Sequence, residues 1–115
     1  MLYHKGNVMQ RFEINMNNRA KPILFFYKPP LKKQEKWLDD VLISEQPDKN
    51  YHEWGQNIEP FKKLIECFTL PNDTILDPYF GGGGVIEAAI AIKRNIYGFE
   101  IDKKSYDLVN KRIGR

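Results

Sequence analysis

Four consecutive glycines, Gly81 to Gly84, follow the apolar stretch Thr74-Ile75-Leu76-Asp77 and precede Val85, Ile86, Ala88, Ala89 and Ile90. That order predicts a buried strand, a tight loop and a helix from about 85 to 93. Glycines let the backbone turn sharply and approach a ligand closely, because no Cβ stands in the way. The helix that follows points its free N–H groups at the same spot. A strand ending in a carboxylate, a glycine loop and a helix N-terminus together predict a site for a nucleotide-like ligand.

The neighbouring segments extend this unit. Asn57 is placed to cap a helix with Pro60 in its first turn, and Phe61, Leu64, Ile65 and Phe68 fall on its inner face at i, i+3, i+4, i+7. Arg94-Asn95 turns into a second strand, Ile96 to Ile101. Asp102 is placed to cap a last helix with Tyr106, Val109 and Ile113 inward. Residues 60–113 therefore read helix, strand, helix, strand, helix. The strands lack polar alternation, which predicts a parallel sheet covered on both faces, with a right-handed crossover. Upstream, Ile23 to Tyr27 is an apolar run stopped by Pro29-Pro30 and reads as one more buried strand. The expected organisation is a single α/β domain over 1–115. Residues 1–21 form an arm, 22–50 a strand and basic connector, and 51–115 the ligand-binding unit. Trp37 is expected in the core, and Cys67 as a small packed side chain.

Composition narrows the function classes. A chain of 115 residues with 42% hydrophobic and 29% charged residues is globular and holds at most one small domain. The net charge of +3 allows contact with a nucleic acid without requiring it. The single cysteine forms no internal disulfide, which places the chain by default in a reducing, cytoplasmic compartment. No apolar run approaches the roughly 18 residues of a membrane span, and no metal-ligand spacing occurs.

The loop discriminates among ligands. A dinucleotide fingerprint counted from Gly81 or Gly82 meets Ile86 or Glu87 where its third glycine belongs. No Lys-Ser/Thr follows the glycines, so a phosphate-binding P-loop is excluded. Asp77 would repel a phosphate and suits an ammonium group instead. Glu100, 19 residues after Gly81, ends the second strand where an acid accepts hydrogen bonds from ribose hydroxyls. A ligand with a ribose and an ammonium but no phosphate is S-adenosylmethionine. Both acids also have a local alternative: Asp77 as a mere cap of the glycine loop, Glu100 as a solvated strand end.

Three blocks occur in a telling order: His52-Glu53-Trp54-Gly55-Gln56-Asn57, then Asp77-Pro78-Tyr79-Phe80-Gly81-Gly82-Gly83, then Arg94 through Gly98, Glu100 and Asp102. They resemble the C-terminal, cofactor-binding part of the DNA amino-methyltransferases that modify adenine N6 or cytosine N4, and more narrowly their phage and mobile-element members. The resemblance covers roughly residues 19–113 and implies a partial Rossmann-like methyltransferase fold with a mainly parallel sheet. It implies that Asp77, Pro78 and the backbone of Tyr79, Phe80, Gly81 and Gly83 hold the methionine end of S-adenosylmethionine. Glu100 would hold the ribose, and Gln56 and Asn57 would close over the methionine side. Phe25 to Tyr27 would lie near a flipped target base. DNA is the implied partner, and Lys28, Lys32, Lys33 and Lys36 are either a solvated face or a phosphate-contacting one.

The departures from the family are specific. Its (Asp/Asn/Ser)-Pro-Pro-(Tyr/Phe/Trp) motif, which accepts hydrogen bonds from the target amine and stacks on the base, is missing from this sequence. Lys28-Pro29-Pro30-Leu31 has the prolines without the acceptor or the aromatic. No catalytic residue is therefore assigned. Gly84 and Val85 stand where the family has a threonine after its third glycine, at a cost of about 1 kcal/mol per missing hydrogen bond. Two readings follow. One is a methyltransferase subunit, truncated or split, that needs a second chain carrying the motif. The other is a non-catalytic remnant that self-associates as a homodimer or serves as a DNA-binding or regulatory module. A third, a site for another nucleotide on the same fold, is separated from these by which ligand binds tighter.

Overall fold

The computed structural model describes residues 1–5, 9–30, 36–45 and 57–114. Their elements run β1 (Leu2–His4), β2 (Met9–Arg11), a 3-10 turn (Phe12–Ile14), β3 (Met16–Asn18), β4 (Ala20–Lys21), β5 (Leu42–Ser44), α1 (Glu59–Phe68), β6 (Thr74–Asp77), α2 (Gly84–Ala91), β7 (Asn95–Gly98) and α3 (Lys103–Arg112).

The C-terminal unit follows the predicted order of elements, but β7 stops at Gly98 rather than Ile101, and Tyr106, expected inward on α3, is 45% exposed. β6 and β7 pair in parallel, with Thr74 opposite Asn95 and Asp77 opposite Gly98, and α2 is the crossover between them. Asp102 Oδ2 accepts from Ser105 N–H at 2.8 Å, so the cap expected on α3 forms, whereas α1 is entered through Ile58 without a side-chain cap and Asn57 Oδ1 accepts from Glu59 N–H at 2.9 Å from one residue farther out. One core cluster joins Ile65 of α1 to Ala88 and Ala89 of α2; a second joins Phe80, Ile86 and Val109. The two alanines matter because they let α1 approach α2 closely. Arg94 ties the end of α1 to the start of β7, with Nε donating to Thr69 Oγ1 and Nη2 to Thr69 O, both at 3.0 Å.

The sheet differs from expectation in one respect. Both strands alternate: Ile75 and Ile96 pack inward, while Leu76 and Tyr97 are 65% and 67% exposed. Among the described residues only one face is covered. The run without polar residues marks a face that is apolar but bare, because the described helices that pack on the sheet lie on its other side. Likewise Phe68, expected inside, is 38% exposed, and Ile90 stands out from α2.

The N-terminal half departs further. The arm forms real pairing: β1 runs antiparallel to β4 and parallel to β5, and β2 and β3 form a hairpin. Ile23 to Tyr27 is not a strand, and all five side chains are exposed. Its aromatic rings stack instead, Phe25 on Phe68 at 4.9 Å between centroids and on Tyr27 at 5.9 Å. Trp37 is 98% exposed rather than core. Its neighbour Leu38 is half-buried instead. Cys67 is buried as expected, its Sγ 3.4 Å from Lys36 O.

Candidate functional site

At the C-terminal ends of β6 and β7 the two strands remain joined beyond their ladder. Phe99 N–H donates to Asp77 O and Phe80 N–H to Phe99 O, both at 3.0 Å. These bonds set Asp77 and Glu100 at the same end of the sheet, on either side of the loop. Asp77 Oδ1 accepts from Tyr79 N–H at 3.2 Å and so caps the turn. Glu100 reaches back across the loop: Oε2 accepts from Gly81 N–H and Oε1 from Asp102 N–H, each at 2.8 Å. The solvated-strand-end alternative for Glu100 therefore does not hold, because the carboxylate is engaged on the loop itself.

The loop is shaped by what glycine omits. Gly83 has φ +80°, and a Cβ there would sit 2.7 Å from Val109 Cγ2. Its N–H closes the turn on Phe80 O at 2.8 Å. Under the loop, a Cβ on Gly98 would lie 2.7 Å from Phe80 Cδ1 and 3.0 Å from Ile86 Cδ1. Bare backbone at 98 is thus what lets the Phe80 ring sit beneath the loop, 8% exposed. The first turn of α2 has no side-chain cap, consistent with the missing threonine.

A cleft of about 310 Å³ opens over this loop, lined by Phe61, Asp77, Tyr79, Phe80, Gly81, Gly82, Gly84 and Val85. The described lining holds one carboxylate, aromatic and apolar walls and bare backbone, with no cation. Such a donor set suits an ammonium and an apolar ligand body, and does not suit a phosphate. The anticipated residues distribute unevenly around it. Asp77, Tyr79, Phe80 and Gly81 line it, and Glu100 holds its floor through Gly81. Pro78 is exposed beside it, Gly83 is packed beneath it, and Asn57 is occupied at the start of α1. Gln56, His52, Trp54, Lys32 and Lys33 lie outside the described residues. The helical spacing assigns Phe61 only to the core and gives no sign that the same ring also walls the cleft. Among the described residues no group of three or more His, Cys, Asp or Glu is placed to hold a metal, and no helix is long and apolar enough to cross a membrane.

Comparison with known proteins matches residues 1–111 to the family described as DNA methylase. The type II methyltransferase M.MjaI of Methanocaldococcus jannaschii is 43% identical over 109 residues, covering 84% of this chain and 36% of that protein. The type II methyltransferase M.MthZI of Methanothermobacter thermautotrophicus is 37% identical over 80 residues, covering 67% of this chain and 22% of that protein. The chain thus spans about a third or less of the length of these relatives. Among solved structures, the M1.HpyAVI–SAM complex superposes with a TM-score of 0.65 at 27% identity, covering 96% of this chain and 58% of that one. The fold is accordingly a partial Rossmann-like α/β fold.

Proposed function

The chain belongs to the DNA methylase family, and from that premise we propose that the cleft over Gly81–Gly84 binds S-adenosylmethionine for methyl transfer to an exocyclic amine of DNA. One observation carries this reading: Asp77 and Glu100 are brought to the same end of two parallel strands, around a glycine cleft whose described lining holds no cation. Asp77 faces the cleft where an ammonium would be held. Glu100, although it accepts two backbone N–H groups, keeps lone pairs on each oxygen for ribose hydroxyls. Phe61 and Val85 supply apolar walls that exclude water. The likeness to the M1.HpyAVI–SAM complex supports the same assignment. The bound cofactor supplies an electrophilic methyl group; this chain's residues bind and orient it.

The chain by itself does not carry out the transfer on this reading, because the sequence lacks the (Asp/Asn/Ser)-Pro-Pro-(Tyr/Phe/Trp) motif that would align the target amine. The single-domain organisation over 1–115 belongs to the same proposal. A specific observation favours a protein partner: the bare face of the β6–β7 sheet carries Leu76, Tyr97 and Phe99, each more than 60% exposed. A second chain that covers this face and brings the motif completes the enzyme. A second copy covering the same face makes the non-catalytic remnant, the alternative reading.

Native mass spectrometry with and without S-adenosylmethionine, competed by a dinucleotide, tests the proposal. One cofactor per chain, retained against the dinucleotide, is the expected result. A dimer with no mass shift replaces it with the self-associating reading. Radiolabel transfer to DNA by the pure chain overturns the claim that it is inactive alone.

A further inference from the structure

Arg112 closes α3, thirty residues from the loop it touches, and no motif in the sequence singles it out. Its Nη2 donates to Gly82 O at 2.5 Å and lies 2.5 Å from Glu87 Oε1 in the first turn of α2. The second contact is an ion pair without the alignment of a hydrogen bond, since Glu87 Oε1 and Arg112 Nε have no aligned partner among the described residues. The Arg112 side chain is 19% exposed, so solvent screens this pair less than a surface one.

The contact falls on a particular peptide group. In a planar trans peptide the C=O and N–H point in opposite directions. The Gly82–Gly83 peptide has its C=O held by Arg112 and its N–H held by Phe80 O at 2.8 Å. It is therefore fixed at both poles. The preceding residue is held by Glu100 through Gly81 N–H. An anion after β7 and a cation from α3 thus grip consecutive residues of a loop that, being glycine, has little conformational preference of its own. Close packing of Gly83 against Arg112, whose Nη2 would be 2.9 Å from a Cβ there, makes the fit mutual.

We propose that Arg112 is a positioning residue for the cofactor cleft: it orients the Gly82–Gly83 peptide and thereby presets the backbone that receives the ligand. The inference rests on the cofactor reading above for its ligand, and on the loop geometry alone for the clamp. Calorimetric titration of the full-length chain with S-adenosylmethionine, alongside amide exchange at Gly81–Glu87 by NMR, separates the two. Arg112→Met is expected to bind about tenfold more weakly, the loss of one charge-assisted hydrogen bond, with faster exchange at Gly83. Arg112→Lys, which still offers a donor to Gly82 O, is expected to recover part of that loss. Glu87→Gln leaves the Gly82 contact and is expected to bind like the parent chain. Unchanged binding in Arg112→Met overturns the proposal, as does an equal loss in Glu87→Gln, which would assign the effect to tethering α3 on α2. Should the parent chain take up no cofactor, the cofactor reading fails; the clamp is then decided by Gly83 exchange, and an unchanged rate in Arg112→Met overturns it. Should Arg112→Met not fold, Arg112→Gln, shorter and uncharged, takes its place, and binding and Gly83 exchange both equal to those of Glu87→Gln overturn the clamp.

Discussion

In residues 57–114, two short strands and three helices bring Ala88, Ala89 and Val109 to almost complete burial, whereas in residues 9–30 Phe12, Leu24 and Phe26 remain largely in solvent. The two regions do not differ in apolar content so much as in what encloses it. The first has helices of eight to ten residues that lay an apolar face on a sheet. The second has strands of two or three residues, too short to make a face that a neighbour could cover. Rigidity at the candidate site is therefore expected to come from the C-terminal unit alone.

The largest expected effect tests that packing. Gly98→Ala places a methyl against the Phe80 ring and is expected to cost about 1–3 kcal/mol, read as a lower urea midpoint. Adding Phe80→Leu should return part of it, and additive losses in the double variant would refute the contact as the cause. Next comes the site itself. Glu100→Gln removes the charge but keeps an acceptor oxygen, so cofactor affinity is expected to fall by about tenfold, with the far-ultraviolet circular dichroism unchanged. Equal affinity would remove Glu100 from the ligand's reach.

A smaller effect should appear in the N-terminal region only. Burial, and then the nearby charge of Lys21, hold His4 below its ordinary value of 6.5. The folded state thus prefers neutral His4. Its contribution is complete above the unfolded value and is lost as pH falls toward the folded one. Acidification from neutrality should lower the amide protection factors, exchange corrected for its intrinsic pH dependence, of His4 and Lys5, whose N–H groups bond Arg19 O and Ser44 O, before it affects those of α2. Simultaneous loosening would show that the two regions unfold as one. Smallest of all, Phe26→Ser should shift stability by no more than about 0.5 kcal/mol; a large loss would mean this exposed ring is covered by something in solution.

How far the sequence could be read follows the same division. The cap at Asp102, the parallel pair and the placement of Asp77 and Glu100 at one end of it were legible because each depends on neighbours within a few residues, or on one repeated spacing. The strand predicted at Ile23 to Tyr27 failed because an apolar run states that burial is wanted, not that a pairing strand is within reach. The bare face of β6 and β7 failed for a related reason: a strand without polar residues reads alike whether or not a second layer covers it. Arg112 was invisible, since a basic residue in the last turn of a helix already has a sufficient local explanation in the helix dipole. Phe61 reads as core, and only the assembled cleft shows that a core side chain also forms its wall.

The close approach of the Phe80 ring to Gly98 also governs the order in which this sequence can change. Every other residue type brings a Cβ, so no single replacement at 98 avoids the Phe80 ring. A shorter side chain at 80 must come first, and that step alone opens a void beneath the loop. Position 98 is thus held in place by its neighbour, and any lineage that abandons glycine there should show the change at 80 as the older of the two.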